Sequence, residues 1–203
     1  MSMILHVDPA TLPRSLVIDP PMTDAELTAF CLDNDAIQVE RTREGTILLN
    51  APAGGHSSSG NAELITQFGI WWKTHQTGRV FDSSGGFYLP DGSLASPDLA
   101  YLLPETMRPI TDEQFGTLLY ACPDFVVELR SQSDRLGDTQ QKMETWIANG
   151  SRLAWLIDPF QERVFTYKPG AAVGIVSDES IAGEGQVAGF TLDLAELWKR
   201  YKL

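Results

Sequence analysis

The chain has 203 residues, with 43% apolar and 21% charged side chains and a formal net charge of −12 at pH 7. That is enough chain for one domain with a sizeable core, and no apolar run approaches the roughly 20 residues of a membrane span. The acidic balance argues against broad electrostatic binding to nucleic acid, which needs a basic surface, and two cysteines are too few for a disulfide framework or a zinc site.

The opening MSMILHVDPATLPRS lacks the basic-then-apolar layout of a secretory signal. A cytoplasmic protein with reduced thiols at Cys31 and Cys122 is therefore expected. Residues 1–22 read as an irregular, proline-containing segment, and 23–203 as a single domain, since no repeat or low-complexity linker interrupts them. Thr23-Asp24-Ala25-Glu26 matches the S/T-x-x-E capping box and predicts a helix to about Leu32. Ile37 to Glu40 and Thr46 to Leu49 predict an antiparallel hairpin around Glu44-Gly45. The small-residue loop APAGGHSSSG leads into a helix expected from about Ser59 to His75. Glu63 then falls in its first turn, where the helix dipole favours a negative charge. Arg79 to Asp82 and Gly86 to Leu89 read as short strands around a Ser-Ser-Gly loop. Ser96-Pro97-Asp98-Leu99-Ala100-Tyr101-Leu102 reads as a strand that opens on a Pro-Asp pair. Residues 103–121 form a connection with a short helix after Thr111.

Phe125-Val126-Val127-Glu128-Leu129 and Leu153-Ala154-Trp155-Leu156-Ile157 are apolar runs, the mark of strands covered on both faces. Between them, Met143, Trp146 and Ile147 share one side of a helix expected over about Asp138–Asn149, stopped by Gly150. Strand, helix and strand at this length make a βαβ unit with parallel strands. Arg163 to Tyr167 and Ala172 to Val176 read as a hairpin around Pro169-Gly170. A short strand at Thr191-Leu192 and a terminal helical turn from Ala195 to Tyr201 follow.

Glu128 is the residue with the fewest inexpensive structural explanations, because an acid inside a buried strand is costly unless it is paired or binds a metal. Asp98 opens a strand; if that strand neighbours the Glu128 strand, both carboxylates project from one region of the sheet. Such oxygen donors suit Mg²⁺, with Mn²⁺ as a substitute. Glu63 would assist as a third metal ligand or through the water, and Lys142, on the helix after Glu128, would orient water or stabilise phosphoryl charge. The ordinary alternatives are a dipole partner for Glu63, a turn device for Asp98, a solvated Lys142 and a salt bridge for Glu128. His56 is a candidate ligand contact in a Gly/Ser loop, where a solvated imidazole is the commoner outcome. Trp71, Trp72, Trp146 and Trp155 read as core aromatics, and the glycine pairs match no phosphate-binding fingerprint.

The order Glu63, SPDLAYL with Asp98, PDFVVELRSQSD with Glu128 and QKMETWIANGSRLAWLIDP with Lys142 resembles the Uma-two family of restriction endonucleases, within the PD-(D/E)xK nuclease superfamily. The resemblance spans about Thr23 to Trp198. It implies an α/β fold with a restriction-endonuclease-like core: a central mixed β-sheet flanked by α-helices, with an N-terminal helix and hairpins. It also implies a Mg²⁺-dependent phosphodiesterase site, with Asp98 and Glu128 as the two superfamily acids and Glu63 as the helix acid. The superfamily lysine two residues after the second acid is here Arg130, which cannot serve as a base at ordinary pH. In the family the lysine stands on the following helix, as Lys142 does. The aromatic four residues further on, commonly Tyr, is Trp146.

The leading expectation is a metal-dependent DNA endonuclease with Asp98, Glu128, Glu63 and Lys142 at its centre. Arg130 is expected to bind a flanking phosphate or pair with an acid. The alternatives are a nuclease-fold binding or assembly module without cleavage and a hydrolase of small phosphodiesters. A homodimer is also expected, through the Phe81–Tyr88 edge or the Val164–Val176 hairpin.

Overall fold

The computed structural model describes residues 14–34 and 37–202. The sequence readings for residues 1–13, Asp35, Ala36 and Leu203 lie outside the described residues. In chain order the first elements are β1 (Arg14–Leu16), α1 (Asp24–Asp33), β2 (Gln38–Arg41) and β3 (Ile47–Asn50). Next come α2 (Gly55–His75), β4 (Arg79–Asp82), β5 (Phe87–Tyr88), β6 (Leu94–Ala95) and β7 (Leu99–Leu102). Two short helices, α3 (Pro104–Met107) and α4 (Asp112–Phe115), precede β8 (Leu119–Tyr120) and β9 (Phe125–Leu129). The rest is α5 (Leu136–Asn149), β10 (Leu153–Asp158), β11 (Arg163–Tyr167), β12 (Gly174–Val176), β13 (Ser180–Ala182), β14 (Thr191–Asp193) and α6 (Leu194–Trp198), with a final 3-10 turn at Lys199–Tyr201.

These elements fall into two units interleaved along the chain. The first holds the described part of Met1–Pro52 together with Gly86–Ser96 and Ile110–Ala121. Its sheet runs β1-β3-β2-β6-β5-β8, antiparallel except at the parallel β5/β8 edge. Thr23 caps α1 through a complete capping box with Glu26, and Leu27 and Phe30 of that helix pack on Val39, Ile47, Leu49 and Leu94. The segment read as irregular supplies β1, because Arg14–Leu16 completes a ladder on β3.

The second unit holds Ala53–Gly85, Pro97–Pro109 and Cys122–Leu203. Its mixed sheet runs β12-β11-β10-β9-β7-β4. β9 and β10 are parallel, joined by α5, and the other neighbours are antiparallel. Every residue of β9 and β10 is buried. Alternation explains why both faces need cover. Phe125, Val127, Leu129, Trp155 and Ile157 join Leu64, Phe68 and Trp71 of α2 in one core. Glu128 faces the other way and meets Trp146 of α5. Gly150 ends α5 at φ 123°, a conformation open to glycine.

Several boundaries differ from the sequence reading for physical reasons. Helix α2 begins at Gly55 rather than near Ser59, so Glu63 lies in its third turn, not its first. Glycine and serine are weak helix formers, but here tertiary contacts hold them. His56 Nδ1 lies 2.9 Å from the Arg200 carbonyl oxygen, and Gly60 admits the Tyr201 ring, whose hydroxyl a Cβ would meet at 2.5 Å. The helix ends at Gln76 in the left-handed region, before Gly78. The two short strands around Ser83-Ser84-Gly85 join different sheets: β4 pairs with β7, and β5 with β6 and β8. The late strand at Thr191 pairs with β13, which sequence periodicity does not reveal because only Ile181 and Leu192 of the ribbon point inward.

Candidate active site

The candidate site forms where β7 and β9 part. Their antiparallel register pairs Leu99 with Val127, Ala100 with Val126 and Tyr101 with Phe125. One step further along, Asp98 and Glu128 come opposite each other, and the Leu129 N–H donates to Asp98 Oδ2 at 2.7 Å. Glu128 is only 7% exposed. Two donors from α5 converge on its Oε1: the Trp146 indole N–H at 2.9 Å and the Lys142 ammonium at 3.0 Å. The spacing of four residues sets Lys142 above Trp146 on one side of the helix. Because Trp146 is wholly buried, Lys142 is carried over the sheet instead of out to solvent. A buried carboxylate in this setting has the paired cation and hydrogen bonds that offset its desolvation.

Arg130 continues from β9, its N–H donating to the Ile157 carbonyl at 2.9 Å. Its guanidinium donates from Nη1 to Asp158 Oδ2 at 3.1 Å, and from Nε and Nη2 to the Asp134 carbonyl. It also lies 5.5 Å from the centre of the Phe160 ring. Asp158 is fully buried, and its other oxygen accepts from the Phe160 and Gln161 N–H groups. Of the two expectations for Arg130, a phosphate contact or an acid partner, the contacts present are those of the acid partner. The planar fork suits this clamp between the β9 exit and the end of β10.

Glu63 and His56 meet around the C-terminal turn. Glu63 accepts from Arg200 at 3.1 Å and from the Gln67 side chain at 3.0 Å. His56 stacks on Tyr201 with ring centres 6.1 Å apart, and Phe160 meets the same ring edge-on at 6.0 Å. Burial pushes the Tyr201 phenol far up, and the negative charge of Asp98 adds to that, so the hydroxyl stays protonated beside the site. Among the described residues, no three of His, Cys, Asp and Glu come together as a metal-holding group. The structure thus brings Asp98, Glu128 and Lys142 together and sets Glu63 and His56 against Arg200.

Two side chains at this end of the sheet, Asp158 and Trp146, have contacts that the sequence reading does not assign, and a third acid, Asp124, is buried elsewhere. Asp158 closes an all-apolar strand, and the cost argument that singles out Glu128 applies equally to it. Asp124, also buried, stands at the opposite end of β9, where it accepts from the Leu103 N–H at 2.8 Å and pairs with Arg152 at 3.2 Å, and is a support of the sheet. The indole N–H of Trp146 carries no sequence signal, since periodicity reports only that the ring is inward.

A family model described as "Uma2: Putative restriction endonuclease" matches residues 24–195. The chain belongs to the Uma2 family. No curated protein matches the chain. Among solved structures, a protein of Anabaena variabilis ATCC 29413, described as "a putative nuclease belonging to DUF820", is similar with a TM-score of 0.71 at 17% identity, covering 89% of this chain and 99% of that one. At that identity the likeness speaks for the fold: this Uma2 chain has a nuclease-like mixed α/β architecture. No helix among the described residues is long and apolar enough to cross a membrane.

Proposed function

We propose that this Uma2 chain is a metal-dependent DNA endonuclease whose centre is Asp98, Glu128 and Lys142. The observation that carries the reading is the Lys142 ammonium 3.0 Å from Glu128, on a carboxylate whose strand neighbour is Asp98. The donor set fits Mg²⁺: two carboxylates on adjacent strands offer the hard oxygens the ion prefers, and it keeps much of its own water. Asp98 and Glu128 would hold it. Bound there, the ion would polarise a phosphate oxygen and lower the pKa of coordinated water. The backbone N–H of Leu129 aims the Asp98 carboxylate. Lys142 supplies a positive charge for the phosphoryl group as negative charge builds on it, and its ammonium can hold the attacking water in line. Glu63 acts at one remove, by holding Arg200 and hence the turn that carries Tyr201 beside Asp98.

Incubating plasmid and single-stranded DNA with Mg²⁺ or Mn²⁺ tests this. Cleavage that disappears in Asp98→Ala is the expected result. Activity that survives the substitution, or its absence in the parent protein with either ion, removes the reading.

A binding or assembly module without cleavage is the second reading. It is favoured by the −12 charge and by Arg130 at the usual lysine position, engaged with Asp158. Calorimetry separates the two, because a pure binding module need not take up Mg²⁺. Cutting both strands of a duplex is easier with two centres, so we also propose a homodimer; a monomeric mass by light scattering at micromolar concentration would exclude it.

A further inference from the structure

Glu128 offers two oxygens, and both α5 donors arrive at the same one. The Trp146 N–H and the Lys142 ammonium occupy Oε1 at 2.9 and 3.0 Å. A carboxylate with one oxygen held by two donors has its plane and rotamer set, and its second oxygen is directed by that choice. The two donors differ in kind. Lys142 is a flexible cation with 27% of its side chain exposed. Trp146 is rigid, neutral and wholly buried. A rigid buried donor fixes direction without adding a positive charge that would repel a cation. Burial alone does not force such a contact, since the buried Trp71 indole nitrogen makes no hydrogen bond among the described residues, although a buried indole N–H usually finds a partner. Here the partner is the one acid within β9.

We propose that Trp146 is a positioning residue: its indole N–H holds Oε1 of Glu128 so that the opposite oxygen, Oε2, is presented to a divalent cation. The assignment rests on the nuclease reading above and deepens it. It divides α5 into two tasks, orientation by Trp146 and charge by Lys142. The two tasks predict opposite responses to substitution. Removing Lys142 takes away a like charge beside the ion and leaves affinity equal or higher. Removing the Trp146 N–H lets the carboxylate turn, and such a loss of a ligand's hydrogen-bond partner weakens metal affinity by about 10- to 100-fold.

The test is calorimetric titration of Mn²⁺ into the full-length parent, Trp146→Phe, Trp146→His and Lys142→Ala, with a urea unfolding curve for each. Phenylalanine keeps most of the apolar bulk and loses the donor. Histidine loses more bulk but retains a ring N–H near the indole nitrogen's position. The expected order of stability is Phe above His, and the expected order of Mn²⁺ affinity is His above Phe, which a packing role alone would not invert. On the parent protein, the indole N–H proton resonance of Trp146 should shift when Mg²⁺ is added and stay in place in Glu128→Gln. A folded Trp146→Phe that binds Mn²⁺ within twofold of the parent, or a resonance that ignores bound Mg²⁺, overturns the assignment and leaves the nuclease reading standing. A parent that takes up neither ion removes both.

Discussion

A single oxygen atom, Glu128 Oε1, gathers the chemistry of this protein at the residue scale. Its two donors make Lys142 a fixed part of the site, so Lys142→Ala should abolish cleavage while Mn²⁺ binding persists; plasmid nicking set beside calorimetry checks this. Arg130 presents the opposite case. As a free phosphate-binding cation, its replacement would mainly weaken substrate binding. As a clamp on the fully buried Asp158, its loss leaves a buried carboxylate without its cation. Arg130→Ala should then lower stability by about 3 kcal/mol, seen as a lower urea midpoint, with any fall in activity following the fall in folded protein. Unchanged stability with weaker DNA binding would restore the phosphate role.

Helix α1 is anchored by Thr23 and Glu26, whose carboxyl is held below its usual range by the Thr23 backbone N–H and then by the Thr23 hydroxyl. A depressed carboxylate stabilises the fold above its unfolded-state pKa, and that contribution is lost as pH falls through the lower folded value. Thr23→Ala should cost about 1 kcal/mol near neutral pH, with less of a penalty in acid once Glu26 is protonated. Denaturation curves of both proteins at pH 7 and at successively lower pH make the comparison. Helix α2 carries the other structural test. Gly60 has no room for a Cβ, which would lie 2.5 Å from the Tyr201 hydroxyl and 2.7 Å from its Cε2. Gly60→Ala must displace the Tyr201 ring, against the gain in helix propensity, and a net loss of about 1 kcal/mol is expected. The same substitution at Gly69, where a Cβ meets nothing within 4 Å, should be neutral or stabilising.

For the whole molecule, charge is the governing quantity. The segments of the first unit hold eleven acidic residues against three basic ones, whereas the second holds sixteen against twelve. An overall charge of −12 repels a polyanion, and local neutralisation at Asp98 and Glu128 must offset it. Duplex DNA should therefore fail to be retained in EDTA at physiological salt, and binding should appear when Ca²⁺, another oxygen-seeking ion, is supplied. A filter-binding assay measures this directly; retention in EDTA as strong as in Ca²⁺ would contradict it.

The sequence by itself determined the βαβ unit, the capped first helix, the hairpins and the odd acid in FVVEL. These depend on periodicity, caps and turn residues, which act over a few neighbours. It also offered Glu63, Asp98, Glu128 and Lys142 as a candidate set, through the cost of burying an acid and through the family pattern, and in the fold Glu63 turns to Arg200 instead. Only the tertiary structure decided which partner each side chain takes. Asp98 and Glu128 come opposite each other through the β7/β9 register. Glu63 meets Arg200, and Arg130 meets Asp158, because chain segments far apart in sequence pack at one end of the sheet. Local patterning cannot report such pairings: a salt bridge needs two side chains within about 4 Å, and that distance is set by strand order and helix crossover. The early start of α2 has the same origin, since Gly60 is helical where a ring from the far end of the chain fills the space a side chain would take.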